Sequence, residues 1–362
     1  MTVVDDTALH GTVANPDLEG IDANERSLMV IQGHQFAFLH DNGCTAKNLL
    51  ERTLQIGEIF HSSGARIYSF RSRSNVRTSQ LSRVPAGSAG TRQRPPAVAG
   101  SFCPSDPVML DDMTTRLLGP VENRIQTHRF PGAMVPHAAL RFSGQIAADT
   151  LKRIDFPSRI LILCPHHTGR GVSCAVAPHL SWGLPGNPVD SDGDMARSLS
   201  HAIPGFKLDA AAHEREHAIE VQLPLIRKLA PTAKVVGVTI GHQPLETLRG
   251  YGISLAEWLE KLEDPPLLLI SSDMNHFDQD ERNRELDAFA LDAMETLDPD
   301  QLYRSVTSRS ISMCGMAPAV IILHALKKLG LLNRMIRTGY GTSAETTGDQ
   351  SRVVGYAGAL FE

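Results

Sequence analysis

The chain has 362 residues, a formal charge of −5 at pH 7 and 42% hydrophobic residues, enough to bury a core without covalent staples. The acid excess argues against a nucleic-acid-binding protein, and five cysteines (Cys44, Cys103, Cys164, Cys174, Cys314) with no CxxC pair make no disulfide framework. No apolar run approaches the length of a membrane span, and the N-terminus lacks a basic start followed by an apolar core, so a cytoplasmic protein is expected.

Residues 1–60 begin polar and acidic. SLMVIQ and QFAFLH then flank Gly33-His34, a candidate hairpin turn, with a second turn signal at Asp41-Asn42-Gly43. TAKNLLERTLQIGEIF carries apolar residues at 49, 50, 54, 56, 59 and 60, a helical stripe. This reads as a small α/β appendage of unknown role. Between Gly64 and Arg94 there are seven arginines and no acid. The segment 61–94 is rich in Ser, Arg and Gly and poor in large apolar groups, so it is expected to be a solvated linker.

The main domain is expected over 95–362. A turn at Pro104–Pro107 precedes an amphipathic helix that Ser105 or Asp106 can cap. Strand Gly132–Val135 ends at Pro136-His137, and a helix follows from about Ser143 to Ile154. The run RILIL, 159–163, is a buried strand that ends in Pro165-His166-His167. VSCAVAP is a strand, SWGLPGNPVD a loop and DGDMARSLSHAI a helix. HEREHAIEVQLPLIRKLA, 213–230, is expected to be one helix with His213, His217 and Glu220 on one face. KVVGVTIG is a strand, 244–262 a helix, and PLLLISSDMNHFD a buried strand ending in a polar cluster. Helices over 280–295, 298–305 and Ala317–Leu329 and two closing strands, RMIRTGYGTS and RVVGYAGALF, complete the chain. Strands alternating with helices imply an α/β fold with a mostly parallel central sheet flanked by helices.

Histidines therefore fall just past the ends of buried strands, where open α/β sheets hold their ligands. Histidine is both a common metal ligand and a proton carrier near neutral pH. His, His and a Cys or Asp converging on one crevice supply the three or four donors a transition metal needs. Asp273, at the end of a buried strand, needs a partner if ionised, and His276 is the natural one.

The motifs PAVAGSF (96–102), MVPHA (134–138), PHHTG (165–169), EHAIEVQLP (216–224), SSDMNH (271–276), MCGMAP (313–318) and GDQSRVVGYAGALF (348–361) keep their order. Together they strongly resemble the Memo-like family, whose microbial members are named protein B of the AmmeMemoRadiSam system; residues 1–94 lie outside the resemblance. It implies a fold like that of the class III extradiol dioxygenases and a site of two loop histidines and a cysteine. Those positions correspond to His137, His167 and Cys314 as metal ligands, with His217, Asp273 and His276 lining the same pocket as acid/base candidates.

Where the family commonly reads PHAGYxYSG, this chain has Ala139, Leu140 and Phe142, and Cys103 stands in place of a tyrosine. Hydroxyls that could bind substrate are thus missing while the ligand positions survive. Two imidazoles and a thiolate suit copper or iron, with zinc a third candidate, whereas extradiol enzymes use two histidines and a carboxylate. The helix start at Cys314 is expected to lower its pKa. The resemblance implies a metal-binding protein, with redox chemistry as an open question. Its alternatives are an iron-dependent dioxygenase acting on a small aromatic substrate and a non-catalytic peptide- or partner-binding protein with a vestigial site. The family association also points to a radical-SAM protein and an Amme-type protein as partners.

Overall fold

The computed structural model describes all residues except 1, 33–34, 58, 60–64, 84–86 and 121–126. The chain divides into two compact units, Met1–Ala86 and Gly87–Glu362.

The first unit contains β1 (Thr2–Thr12), β2 (Asn15–Pro16), β3 (Arg26–Gln32), β4 (Gln35–Asp41), α1 (Ala46–Gly57), β5 (Arg66–Ser74) and β6 (Thr78–Arg83). Its antiparallel sheet runs β2-β1-β5-β3-β4-β6. Leu49 and Leu50 of α1 pack with Leu28, Val30, Leu39 and Ile67 on one face. The hairpin turn expected at Gly33-His34 lies outside the described residues, although β3 and β4 pair antiparallel with Gln32 opposite Gln35.

The segment read as a linker carries two of these strands instead. In β5 the buried residues Ile67, Ser69 and Ser72 are interspersed with exposed Arg66, Arg71 and Arg73, and β1 and β3 pair with it on both sides. Low hydrophobicity here reflects one solvated face of a strand, not an unfolded chain. The acidic start, too, is a strand, β1.

The second unit contains β7 (Gln93–Arg94), α2 (Pro107–Leu118), β8 (Gly132–Val135), α3 (Leu140–Leu151), β9 (Arg159–Pro165), β10 (Cys174–Val176), β11 (Ser181–Trp182) and β12 (Val189–Asp190). It continues through α4 (Gly193–Ala202), β13 (Lys207–Leu208), α5 (Leu223–Leu229), β14 (Lys234–Ile240), α6 (Leu245–Leu259), β15 (Leu267–Ser271) and β16 (His276–Asp278). It closes with α7 (Asp280–Glu295), α8 (Pro299–Ser308), α9 (Met316–Lys328), β17 (Met335–Thr342), α10 (Ala344–Thr347) and β18 (Val353–Phe361).

The large sheet runs β13-β10-β14-β9-β15-β8-β18-β16, with β17 paired to β18. Only its centre matches the expected parallel arrangement. β14, β9, β15 and β8 are mutually parallel, while β10 and β18 flank them antiparallel. The sheet is mixed because β10 and β18 are added at the two flanks of the parallel block.

Alternation along the central strands separates two cores. Leu161, Leu163, Leu268 and Ile270 face α4 and α6–α9. Ile160, Ile162, Leu267 and Leu269 face α2, α3 and α5. Strands covered on both faces read as unbroken apolar runs, as in ILIL and LLLI.

The expected helix 213–230 is broken. Only a 3-10 turn, Glu220–Gln222, and α5 are helical. The buried Arg94 guanidinium takes the carbonyls of His213 and Glu216 and pairs with Glu220, so those carbonyls are unavailable to a helix. The Glu216 carboxylate takes the amides of His217 and Ala218, and Pro224 has no amide to donate.

Candidate metal centre

Three parallel strands deliver the site. His137 follows β8, His167 follows β9 and Asp273 follows β15, each two residues past the strand's last residue. The broken 213–222 segment supplies Glu216 and His217, and the turn before α9 supplies Cys314. Gly315 lets this turn lie against β15: a methyl there would collide with the Ser272 side chain, and its amide donates to Ser272 Oγ at 3.0 Å.

Ligand atoms of His137, His167 and His217 all lie within 4.8 Å of one another, the one such group found among the described residues. The His167 and His217 rings stack at 4.6 Å, and His137 stands nearly perpendicular to both, at 5.2 and 5.3 Å. The Phe102 ring lies against His217, with centroids 4.7 Å apart.

Two of the rings have their tautomer fixed. Ser271 Oγ donates its proton to the Ala218 carbonyl at 2.6 Å, so toward His137 Nδ1, 2.9 Å away, it can only accept. His137 therefore carries its proton on Nδ1 and leaves Nε2 as a bare donor. Gln222 holds the same serine at 3.2 Å and the Pro136 carbonyl at 2.7 Å. For His167, Nδ1 donates to Glu216 Oε1 at 2.8 Å, and the His167 amide donates to Oε2 at 2.8 Å. A carboxylate holding the far nitrogen of an imidazole is the arrangement that orients metal-binding histidines.

Electrostatics keep the rings ready for a cation. Burial pushes His137 down to about 3 and His217 down to about 4, so both are neutral at pH 7. Burial alone would raise Glu216, but the hydrogen bond from His167, together with the Ala218 amide, holds it down at about 2, so it stays ionised.

Cys314 lies outside the compact trio. Its sulfur is 3.3 Å from His137 Nε2 and 3.6 Å from the Asp273 carbonyl. Burial pushes its thiol well above the usual range, with the Asp273 charge adding to the effect. The expected lowering by the helix start is overturned, because loss of solvent outweighs the backbone amide of Gly315.

Asp273, buried, accepts the amides of His137 at 2.7 Å and Ala138 at 3.2 Å through Oδ1. Those amides are its hydrogen-bond partners in place of the expected His276, and burial raises its pKa. His276 donates through Nδ1 to the Ser312 carbonyl at 3.0 Å and stands within electrostatic reach of His137 and Asp273. Of the candidates read in the sequence, His137, His167 and His217 converge, Cys314 touches His137, and Asp273 and His276 flank them. His166 stays outside the trio.

The sequence reading places Glu216 in a helix, gives Ser271 only as part of the polar cluster 271–276 without a role, and does not single out Gln222 or Arg94. Ser271 was legible as a polar residue inside an apolar strand. Nothing marked Arg94, which is 1% exposed at the end of an arginine-rich stretch.

Residues 94–360 match the model of the family described as Memo-like protein. A MEMO1 family protein of Aquifex aeolicus (strain VF5) is 35% identical over 272 residues, covering 75% of this chain and 99% of that protein. A MEMO1 family protein of Methanobrevibacter smithii is 33% identical over 281 residues, covering 74% of this chain and 99% of the relative. Among solved structures, the uncharacterized protein JW3007 from Escherichia coli K12 superposes with a TM-score of 0.45 at 11% identity, over 65% of this chain and 100% of that one, too loosely to carry a fold assignment. With the ordered motifs, the matched span and these identities all falling on the unit that holds the histidines, the chain belongs to the Memo-like family.

Proposed function

We propose that the second unit binds one transition-metal ion, copper or iron, through His137, His167 and His217, with Cys314 as an additional donor beside His137. The observation that supports this most directly is the pair of held rings: Ser271 and Glu216 each take the Nδ1 proton of a ring, so that Nε2 is the atom each neutral ring offers a metal. Imidazoles suit copper, iron and zinc, and a sulfur donor shifts preference toward the softer ions. A bound copper or iron would supply one-electron chemistry. The protein's part is to hold the rings in place, with Phe102 against His217. Asp273 and His276 flank the ion as candidate proton-handling groups.

The dioxygenase reading has less support, because the two buried carboxylates here are spent on N–H donors: Glu216 on His167 and Asp273 on two backbone amides. No helix among the described residues is long and apolar enough to cross a membrane. A cytoplasmic location, and partnership with radical-SAM and Amme-type proteins, extend the proposal by family association, and co-purification from the native host tests the partnership.

The test is elemental analysis of tag-free protein, wild type beside His167→Ala, His217→Ala and Cys314→Ser. One ion per chain in the wild type, lost in both histidine variants and weakened in Cys314→Ser, supports the proposal. An ion retained in both histidine variants, or none after anaerobic loading of the wild type, refutes it.

A further inference from the structure

A bulge beside the histidines carries the second argument. β16 pairs with β18 through His276 opposite Val354 and Asp278 opposite Val353, so Phe277 is an extra residue between them. Its φ is 71°, a left-handed conformation that a bulky side chain rarely adopts and that glycine takes without strain. The ring is 59% exposed. Neither backbone preference nor burial accounts for phenylalanine here, and unexplained strain of this kind gathers at ligand sites.

The bulge also sets direction. Consecutive side chains of a regular strand point to opposite faces, but the His276 and Phe277 rings lie together, with centroids 5.6 Å apart. Against the Phe277 ring, at 4.5 Å, lies the guanidinium of Arg352. Arg352 is exposed and pairs with no carboxylate among the described residues. A row therefore leads from Arg352, which lies over the Phe277 ring without a carboxylate partner among the described residues, across Phe277 to His276, itself within electrostatic reach of His137 and Asp273.

We propose that Phe277 and Arg352 form a subsite for a planar aromatic anion, its ring stacked on Phe277 and its negative group on Arg352, at the edge of the histidine cluster. Stacking on an aromatic face and a charge-assisted contact to guanidinium are complementary, and each is sequence-independent chemistry of the ligand. The inference deepens the reading of the histidine cluster as the functional site and rests on it. It adds the class of molecule that the site would receive.

The probe is 2-naphthoate, titrated by fluorescence into metal-free and metal-loaded protein, with naphthalene-2-carboxamide as the uncharged control. Saturable naphthoate binding is expected, at least tenfold weaker for the carboxamide and at least tenfold weaker in Phe277→Gly and Arg352→Gln. Phe277→Gly should melt at the same temperature as the wild type or higher, since it relieves the left-handed strain. A purely structural ring would give the opposite pattern: lower melting with naphthoate affinity unchanged. That result, equal affinity for the carboxamide, or no saturable binding would overturn the proposal. Metal content, measured on the same samples, separates the two readings: naphthoate binding that survives in a chain unable to hold metal would bring down the metal proposal and leave this one standing.

Discussion

The two ends of the central parallel strands in the second unit are built in opposite ways. At the carboxyl ends of β8, β9 and β15 stand His137, His167, Ser271 and Asp273, each held by hydrogen bonds of its side chain. At the amino ends the same strands begin beside Phe130, Pro131, Leu267 and Leu268, which with Leu259, Leu326 and Leu331 line an apolar cavity of about 330 Å³. One end is built from hydrogen bonds whose value lies in orientation, the other from surfaces whose value lies in leaving water. Substitutions at the two ends should therefore fail in different ways.

The largest effect is expected from His137→Ala, which removes the ring shared by the trio and by Cys314. It should abolish stoichiometric metal while circular dichroism and the melting transition remain cooperative. Loss of the fold together with the metal would erase the contrast between the two ends.

Leu326→Ala is the mirror experiment. Leu326 is buried in the core that α9 presents to the sheet and borders the cavity. Truncation should cost about 2–5 kcal/mol of unfolding free energy, read by denaturant titration, with metal per folded chain unchanged.

Glu216→Gln should preserve shape while removing the carboxylate that holds His167. A loss of metal affinity of about 10–100-fold is expected, measured by competition with a chelator. Ser271→Ala sharpens the comparison from the strand side, with a smaller loss toward the lower limit of that range, because Gln222 still holds the Pro136 carbonyl.

Acid provides a subtler probe. His137 and His217 are held at about 3 and 4, below the 6.5 of a free imidazole. Unfolded chains therefore take up these protons first, so stability is complete above about pH 6.5 and declines as pH falls toward 4. Glu216, held at about 2 against 4.5, adds a loss as pH falls from about 4.5 toward 2. Melting temperatures of metal-free His217→Ala should vary less between pH 6.5 and 4 than those of the metal-free wild type.

The same contrast explains what could be read in the sequence. ILIL and LLLI announced buried strands because both faces are covered, and Pro-His after such a strand announced the site. The segment 213–222 was misread because its helical spacing is real but its carbonyls are captured by Arg94, a residue 119 positions from His213 in the chain. β5 was misread because arginines on one face of a strand lower its composition to that of a linker. The histidine cluster was partly legible: the motif singled out His137, His167 and Cys314, while the compact trio takes His217 as its third member. Only folding could show that, since it depends on where the broken segment comes to rest.

Arg94 also bears on where this chain can be divided. A cut at Pro95, where the arginine-rich stretch gives way to the family motifs, would keep every candidate ligand and most of the matched span. It would discard the guanidinium that neutralises the buried Glu220 and holds the Glu216 backbone. The Glu220 carboxylate would keep the amides of Ala97 and Val98 but lose its counter-charge in a buried site, a fault costing several kcal/mol. Ser88 likewise binds Asp209 through both its amide, at 3.0 Å, and its hydroxyl, at 2.9 Å. The compact second unit begins at Gly87, and the last residues of the apparent linker are its first structural members.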